Sequence, residues 1–291
     1  MGETIKISGR FRFTGIFGHP VEHSLSPAMH NAAYAALGLE RAYIPFHVTP
    51  EKLRTAIRSI PALGLLGVNL TVPHKEQALR MMDHLTDEAR TLGAINCVIN
   101  RDGELHGDST DARGLETDLR EAGLDLEGKV AVIVGAGGAA ASAILAGIRL
   151  GASQIALCNR TIGRARALVR RLSRYAPPST MVSVHGLDLL TGSEILAKAA
   201  VVMNATSLGL AAKEFLPLAC DATPADCLFY DLIYARETTP FLKPASAIGR
   251  RTLDGAGMLA NQGVLAFELF NGIASPPGLM RSTLMAELGR P

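Results

Sequence analysis

Gly135 and Gly137 stand in the run Val132-Ile-Val-Gly-Ala-Gly-Gly-Ala-Ala-Ala141, with Ala140 closing a G-x-G-x-x-A pattern. An apolar strand, a glycine turn and a helix start in that order let backbone N–H groups meet a pyrophosphate at a positive helix end. Gly135 permits the tight turn, and Gly137 leaves room for the phosphates. A glycine turn without a ligand is the plain alternative. A P-loop is excluded, because no Gly-Lys-Ser/Thr follows. The next strand leads into Asn159-Arg160-Thr161, with Arg164 on the first turn of the following helix. NAD sites usually carry a carboxylate there for the ribose 2′-hydroxyl. An arginine in its place points to the 2′-phosphate of NADP and to reductive chemistry. One charge-assisted hydrogen bond is worth roughly 1.5–3 kcal/mol, a preference of about tenfold to somewhat over a hundredfold. Arg166, Arg170, Arg171 and Arg174 continue the basic run and read as a solvated helix face.

A second set of chemical groups lies upstream. Ser24 and Ser26 precede a helix in His23-Ser24-Leu25-Ser26-Pro27. Ser26 reads as an N-cap with Pro27 at the first helical position. Compatibly, hydroxyls and free N–H groups at a helix start make a carboxylate site. In Gly67-Val-Asn69-Leu-Thr71-Val-Pro73-His74-Lys75 a strand ends, a proline breaks it and a lysine opens a helix. Such a lysine is either a solvated charge or an acid–base group whose proton affinity the helix end lowers. Gly107-Asp108-Ser109-Thr110-Asp111 offers two carboxylates in a glycine-containing turn. They either form Asx turns or bring an aspartate to Lys75.

These groups need a frame. Strand-like and helix-like segments alternate, which argues a largely parallel sheet covered by helices. Arg12–Phe17, Tyr43–Val48 and Leu65–Leu70 read as strands. Residues 27–37, 51–59 and 75–84 read as helices. Residues 103–113 turn polar and glycine-rich, a hinge pattern. A second series of strands follows at residues 129–134, 154–158, 181–184, 201–204, 228–231 and 251–253, as many as a complete dinucleotide-binding sheet uses. Helices read over residues 139–150, with Gly151 as the stop, and over 164–175. Residues 210–227 show no period. Residues 257–270 form a long helical pattern with no strand after it.

The 291 residues suit one large or two modest domains, long enough to need no disulfide or metal staple. Lys plus Arg is 29 against 27 Asp plus Glu, too balanced for a nucleic-acid or membrane-surface protein. Hydrophobic content of 48% excludes disorder, and no apolar run approaches a bilayer span. The first residues lack the apolar core of a secretory signal, and Lys6 stands where a myristoylation signal wants Ser or Thr. Cys97, Cys158, Cys220 and Cys227 form no CxxC pair, so a reducing, cytoplasmic compartment is expected. His19, His23, His30, His74 and His84 fit neither HExxH nor a zinc spacing, and no metal is expected.

Taken in order, Ser24-x-Ser26-Pro, Asn69-x-Thr71-x-Pro73-x-Lys75, Gly93-Ala-Ile-Asn96, Gly107-Asp108-x-Thr110-Asp111, Gly135-Ala-Gly-Gly-Ala, Asn159-Arg160-Thr161-x-x-Arg164, Asn204-Ala-Thr-Ser207 and Asp254-Gly-x-Gly-Met258 resemble the motifs of the shikimate dehydrogenase family. The resemblance runs from about Gly15 to about Phe270. It implies an α/β protein of two domains. Residues 1–111 plus 256–291 would form a three-layer α/β substrate domain completed by C-terminal helices. Residues 112–255 would form a Rossmann-type, doubly wound NADP domain. The implied reaction is NADPH-dependent, reversible reduction of 3-dehydroshikimate to shikimate, on the route to chorismate and the aromatic amino acids.

By that resemblance Lys75 and Asp111 are the catalytic pair. Ser24 and Ser26 hold the substrate carboxylate, Thr71, Asn96 and Gln262 meet ring hydroxyls, and Tyr234 lies near the substrate. Gln262 would bring the long helix back onto the first domain. Cofactor contacts fall to Gly135, Ala136, Gly137, Gly138, Ala139, Asn159, Arg160, Thr161, Arg164, Thr206, Leu232 and Gly255. The expected partner is a small-molecule substrate, with the chain a monomer or homodimer. Ser109, Ala112 and Cys97 depart from the residues common in the family, Asn, Gly and Thr respectively. Ser26 favours shikimate over quinate, since a related quinate branch often has Thr there. The rivals are a shikimate/quinate dehydrogenase using NAD as well as NADP, an idle NADP-binding sensor, and a reductase of another substrate. Lys75 with Asp111 argues against the sensor. The paired serines and Asn96 argue against another cyclic or acyl substrate, because they suit a small polyhydroxylated carboxylate.

Overall fold

The computed structural model describes residues 7–209 and 215–290. The expectations for the first six residues, and for 210–214 of the aperiodic stretch, lie outside the described residues. The chain divides into two compact units, one of residues 7–110 with 262–290, the other Asp111–Asn261. The helix Ala256–Asn271 gives its residues up to Asn261 to the second unit and those from Gln262 to the first.

The first unit holds strands β1 (Arg12–Gly18), β2 (Arg41–His47), β3 (Gly67–Leu70), β4 (His84–Leu85), β5 (Cys97–Arg101) and β6 (Glu104–Asp108). They form one six-stranded sheet in the order β2-β1-β3-β5-β6-β4. β1 runs parallel to β2 and β3, while β5 is antiparallel to both β3 and β6, so this sheet is mixed. Its core gathers Leu53, Ile57 and Ile60 of the helix Leu53–Ala62 beneath Phe17, Val68, Leu70 and Val98 of the sheet. On the other side the helix Ser26–Ala36 packs against the helix Leu279–Glu287.

Two sequence expectations are corrected below. Residues 103–113, expected as a hinge, contain the boundary between the units at Thr110 and Asp111 and are built of regular elements. Asp102 (φ 53°) and Gly103 (φ 97°) make the two-residue left-handed turn of a β5–β6 hairpin, and the helix Asp111–Glu121 follows at once. The helix expected over residues 75–84 ends at Ala78, passes through a 3₁₀ turn, and gives way to β4. Strand pairing prevails there: Asp83 N–H donates to the Leu105 carbonyl at 2.9 Å and Leu105 N–H to Asp83 Oδ2 at 2.8 Å. Finally, Ser26 does not cap its helix. It is the first helical residue, Leu25 stands at the cap without a side-chain bond, and the Ser26 amide donates to Ser24 Oγ at 3.4 Å.

The second unit carries β7 (Val130–Val134), β8 (Gln154–Cys158), β9 (Met181–His185), β10 (Ala199–Asn204), β11 (Leu228–Asp231) and β12 (Arg251–Asp254). Their order is β12-β11-β10-β7-β8-β9, and every neighbouring pair is parallel. This is the doubly wound arrangement of a dinucleotide-binding sheet, with its switch point between β7 and β10. Residues 131–134 are wholly buried, as a strand covered on both faces requires. The helix Gly138–Arg149 follows β7, and Gly151 (φ 82°) ends the segment in the left-handed region. The described part of the aperiodic stretch is irregular apart from a 3₁₀ turn at Cys220–Ala222. All four cysteines are buried free thiols, and burial pushes Cys158 and Cys227 up to about 12. Among the described residues no helix is long and apolar enough to cross a membrane.

Candidate functional site

In the first unit, the ends of β1, β3 and β5 bring the predicted residues to one region. Thr71 N–H donates to the Phe17 carbonyl at the end of β1, and His74 N–H to the Thr71 carbonyl, folding the chain round Pro73. Lys75 then opens the short helix Lys75–Ala78, as expected, and its carbonyl accepts from Ile95 N–H at 3.0 Å. His74 Nε2 donates to the Val48 carbonyl at 2.7 Å. That bond leaves Nδ1 buried without a partner, and burial pulls the imidazole below its ordinary pKa.

Asn96 is the hub. Its Oδ1 accepts from Thr110 N–H at 2.8 Å, and its Nδ2 donates to Thr110 Oγ1 at 2.9 Å and to Gln262 Oε1 at 3.2 Å. Thr110 Oγ1 also reaches the Gln262 carbonyl at 3.2 Å. The helix from Gln262 onward therefore docks on this unit. Phe267 packs on Tyr34 with ring centroids 5.2 Å apart, and a side chain at Gly67 would strike Phe270. Asn69 supports the hub from below. Its Nδ2 donates to the Asn96 carbonyl at 3.0 Å and to Cys97 Sγ at 3.2 Å, and its Oδ1 accepts from Tyr43 OH at 2.8 Å. Cys97 thus takes part in the network although it departs from the family pattern. Tyr43 is fully buried and also bonded to Ser26, so it links the serine motif to the asparagine motif. Sequence reasoning missed Tyr43, since a tyrosine in an apolar strand gives no signal of its own.

Asp108 holds the turn rather than a ligand: its Oδ1 accepts from Ser109 N–H at 2.7 Å and Thr86 Oγ1 at 2.7 Å. Asp111, one residue beyond the anchored Thr110, is partly exposed and begins the first helix of the second unit.

In the second unit, Gly135 has φ 121°, and a Cβ there would lie 2.8 Å from the Ala205 carbonyl. Only glycine fits. Gly137 and Gly138 differ: both are exposed, and a Cβ on either would meet nothing within 4 Å. Gly137 stands at the N-cap of a twelve-residue helix with no side-chain cap, and Ala139 is exposed beside it. The open glycine surface and the uncapped amides fit a dinucleotide pyrophosphate.

β8 ends at Cys158, so Arg160 lies in the loop just beyond the strand. Asn159 Nδ2 donates to the Thr161 carbonyl at 2.9 Å and fixes this loop. Arg160, Thr161 and Arg164 are exposed, available to a phosphate. Beyond β10, Thr206 donates through both N–H (3.0 Å) and Oγ1 (2.7 Å) to Asn204 Oδ1. Asn204 Nδ2 in turn donates to buried Asp231 at 2.9 Å, and the Asn204 carbonyl accepts from Leu232 N–H. Burial pushes the Asp231 carboxyl up to about 6, opposed by hydrogen bonds from Thr239, Ile233 and Asn204. Asp231 is a second residue missed from the sequence. A side chain at Gly255 would strike the Leu232 carbonyl at 2.3 Å, so Gly255 lets β12 turn into its helix against this loop. Tyr234, three residues past Asp231, is mostly buried, and desolvation raises its phenol pKa. The predicted residues thus form two groups, one in each unit.

The family description "Shikimate dehydrogenase substrate binding domain" matches residues 16–98, and "Shikimate 5'-dehydrogenase C-terminal domain" matches residues 255–285. A protein of Geobacter sp. named shikimate dehydrogenase (NADP(+)) is 40% identical over 286 residues, 98% of each chain. The chain belongs to the shikimate dehydrogenase family. The crystal structure of a family member from Thermus thermophilus, in complex with NADP(H) and shikimate, superposes with a TM-score of 0.82 at 34% identity, over 95% of this chain and 99% of the other. The ligand-free 5-ketofructose reductase of a Gluconobacter strain superposes equally fully, with a TM-score of 0.86 at 31% identity over 96% and 100% of the two chains.

Proposed function

We propose that this chain is an NADP-dependent shikimate dehydrogenase of the cytoplasm, reversibly reducing 3-dehydroshikimate to shikimate. The observation that carries the reading is the first-unit network. Asn96, Thr110 and Gln262 are locked together by buried hydrogen bonds, beside a motif that presents Thr71 and Lys75. We assign the first unit to the substrate and the second to NADP.

Ser24 and Ser26 supply hydroxyls for the substrate carboxylate, and Thr71, Asn96 and Gln262 supply polar groups for the ring hydroxyls. Tyr234 is assigned to the substrate's surroundings. When bound, NADPH supplies a hydride. The amides around Gly135, Ala136, Gly137, Gly138 and Ala139 hold its pyrophosphate. Asn159, Arg160, Thr161 and Arg164 hold the 2′-phosphate, and Thr206, Leu232 and Gly255 shape the loops beside the nicotinamide half.

Lys75 is the group that moves a proton. Negative charge builds on the C3 oxygen as the carbonyl becomes an alkoxide, and Nζ of Lys75 donates to that oxygen. Asp111 is assigned as the carboxylate partner of Lys75 in this acid–base step. General acid–base help of this kind contributes roughly 10²–10⁴-fold. The rigid anchoring of Thr110 and of the Lys75 carbonyl fixes where both groups start, which is the protein's contribution through orientation.

The kinship to a 5-ketofructose reductase favours one other reading, a polyol substrate without a carboxylate. The deciding experiment follows reduced nicotinamide by its absorbance at about 340 nm. The chain is given NADP or NAD with shikimate or with quinate, and NADPH or NADH with 5-ketofructose. Turnover of shikimate with NADP above all other combinations supports the assignment. Preference for quinate with either cofactor, or for the ketofructose, overturns it.

A further inference from the structure

The outer edge of the first sheet carries a second cluster of chemical groups, far along the sheet from β1 and unused by the reaction above. β4 is a two-residue edge strand, and its His84 stands in register with His106 of β6. Strand periodicity puts Glu104 on the same face as His106. The two imidazoles stack with centroids 4.5 Å apart. Glu104 Oε2 lies 3.2 Å from His84 Nε2 and 4.0 Å from His106 Nε2, and the ligand atoms of the three side chains all lie within 4.8 Å of one another. His84 and Glu104 are exposed and His106 is half-buried, so the three converge at a point open to solvent.

We propose that His84, Glu104 and His106 form a surface site for a divalent first-row transition ion, zinc foremost, which clips the edge strand β4 to β6. Metal–ligand bonds of about 2.0–2.1 Å at the tetrahedral angle set ligand atoms about 3.3 Å apart. The His84–Glu104 separation already meets that spacing. Closing the longer His106–Glu104 gap and turning both ring nitrogens toward one ion takes rotation of the exposed Glu104 and His84 side chains. Two imidazoles and one carboxylate leave a fourth position for water, a donor set suited to zinc and its neighbours rather than to calcium or magnesium.

Asp83, bonded to Leu105 N–H, adds negative charge close by. Arg101 stands opposite Glu104 on β5 and opposes the ion, which limits affinity without occupying a ligand position. The other histidine pair of this unit is a poorer site. His19 Nδ1 and His47 Nε2 are bonded to each other at 2.5 Å, too close to share a tetrahedral ion, and Glu22 faces the opposite nitrogen of His47.

The test is calorimetric titration of zinc chloride into the full chain, beside the variants His84→Ala, His106→Ala, Glu104→Gln and the control His47→Ala. We expect one ion per chain, with affinity reduced more than about a hundredfold in either site-histidine variant, beyond what loss of a mere outer-shell partner costs. We expect the His47→Ala protein to bind as the parent does. Zinc should also raise the melting temperature of the parent and of His47→Ala, but not of the site variants. Unchanged shikimate turnover in the site variants shows that they are folded. Absence of a stoichiometric ion in the parent, binding at the parent's affinity in His84→Ala or His106→Ala, or loss of binding in His47→Ala instead, would each overturn the proposal.

Discussion

Asn96 Oδ1 accepts the backbone N–H of Thr110 at 2.8 Å, joining the residue just before β5 to the turn just after β6. Because Asp111 is the next residue, this one bond sets where the chain delivers that carboxylate. Asn96→Ala strands the Thr110 amide in a buried site and removes the donor to Gln262. An unsatisfied buried group costs roughly 1–3 kcal/mol. We expect a loss of stability of that order by urea denaturation, together with a raised KM for shikimate and an unchanged KM for NADP.

The two glycines of the nucleotide turn should behave in opposite ways. Gly135→Ala forces a side chain into a φ of 121° and against the Ala205 carbonyl, so it should lower stability by about 1–3 kcal/mol. Gly137→Val meets open space and has φ −102°, so its melting temperature should hold. Its NADPH affinity, read by fluorescence titration, should fall sharply. Retained affinity in Gly137→Val would mean that this surface does not face the cofactor.

Arg160→Ala should raise KM for NADPH by about tenfold to somewhat over a hundredfold, the worth of one charge-assisted bond, and leave KM for NADH unchanged. Steady-state kinetics with both cofactors reads the difference. An unaltered preference removes Arg160 from the phosphate site.

His30 is wholly buried in the first unit, stacked on Tyr43 at 4.2 Å, with neither ring nitrogen hydrogen-bonded, and burial pulls its pKa down to about 3. The folded state therefore refuses a proton that the unfolded chain accepts below about pH 6.5. Its contribution is intact above that pH and is lost on acidification, by about 2 kcal/mol at pH 5. His30→Phe should flatten this acid limb when stability is measured from pH 8 to pH 5. A parallel decline in parent and variant would show that other groups cause it.

Much of this architecture can be read from the chain, and the exceptions have physical causes. Residues 155–158 and 228–230 are buried on both faces, so they read as continuous apolar runs with sharp ends. β6 is Glu-Leu-His-Gly-Asp, with a single large apolar residue, and becomes a strand only through its pairing with β5 and β4. The local signal for that hairpin was Asp102-Gly103, a left-handed turn pair. Gly135, Gly137 and Arg160 stand out by type and spacing, whereas the pairing of Lys75 with Asp111 and the places of Gln262 and Tyr234 come only from the resemblance to the family. Tyr43 and Asp231 show neither signal, because their importance lies in partners distant in sequence: Asn69 for the tyrosine, Asn204 and Thr239 for the aspartate.

The central claim is that Nζ of Lys75 passes the proton. The direct measurement is kcat for shikimate oxidation by Lys75→Ala, beside the dissociation constant of NADPH. We predict a fall in kcat of about 10²–10⁴-fold with cofactor affinity little changed. Turnover within a few-fold of the parent enzyme would contradict the account.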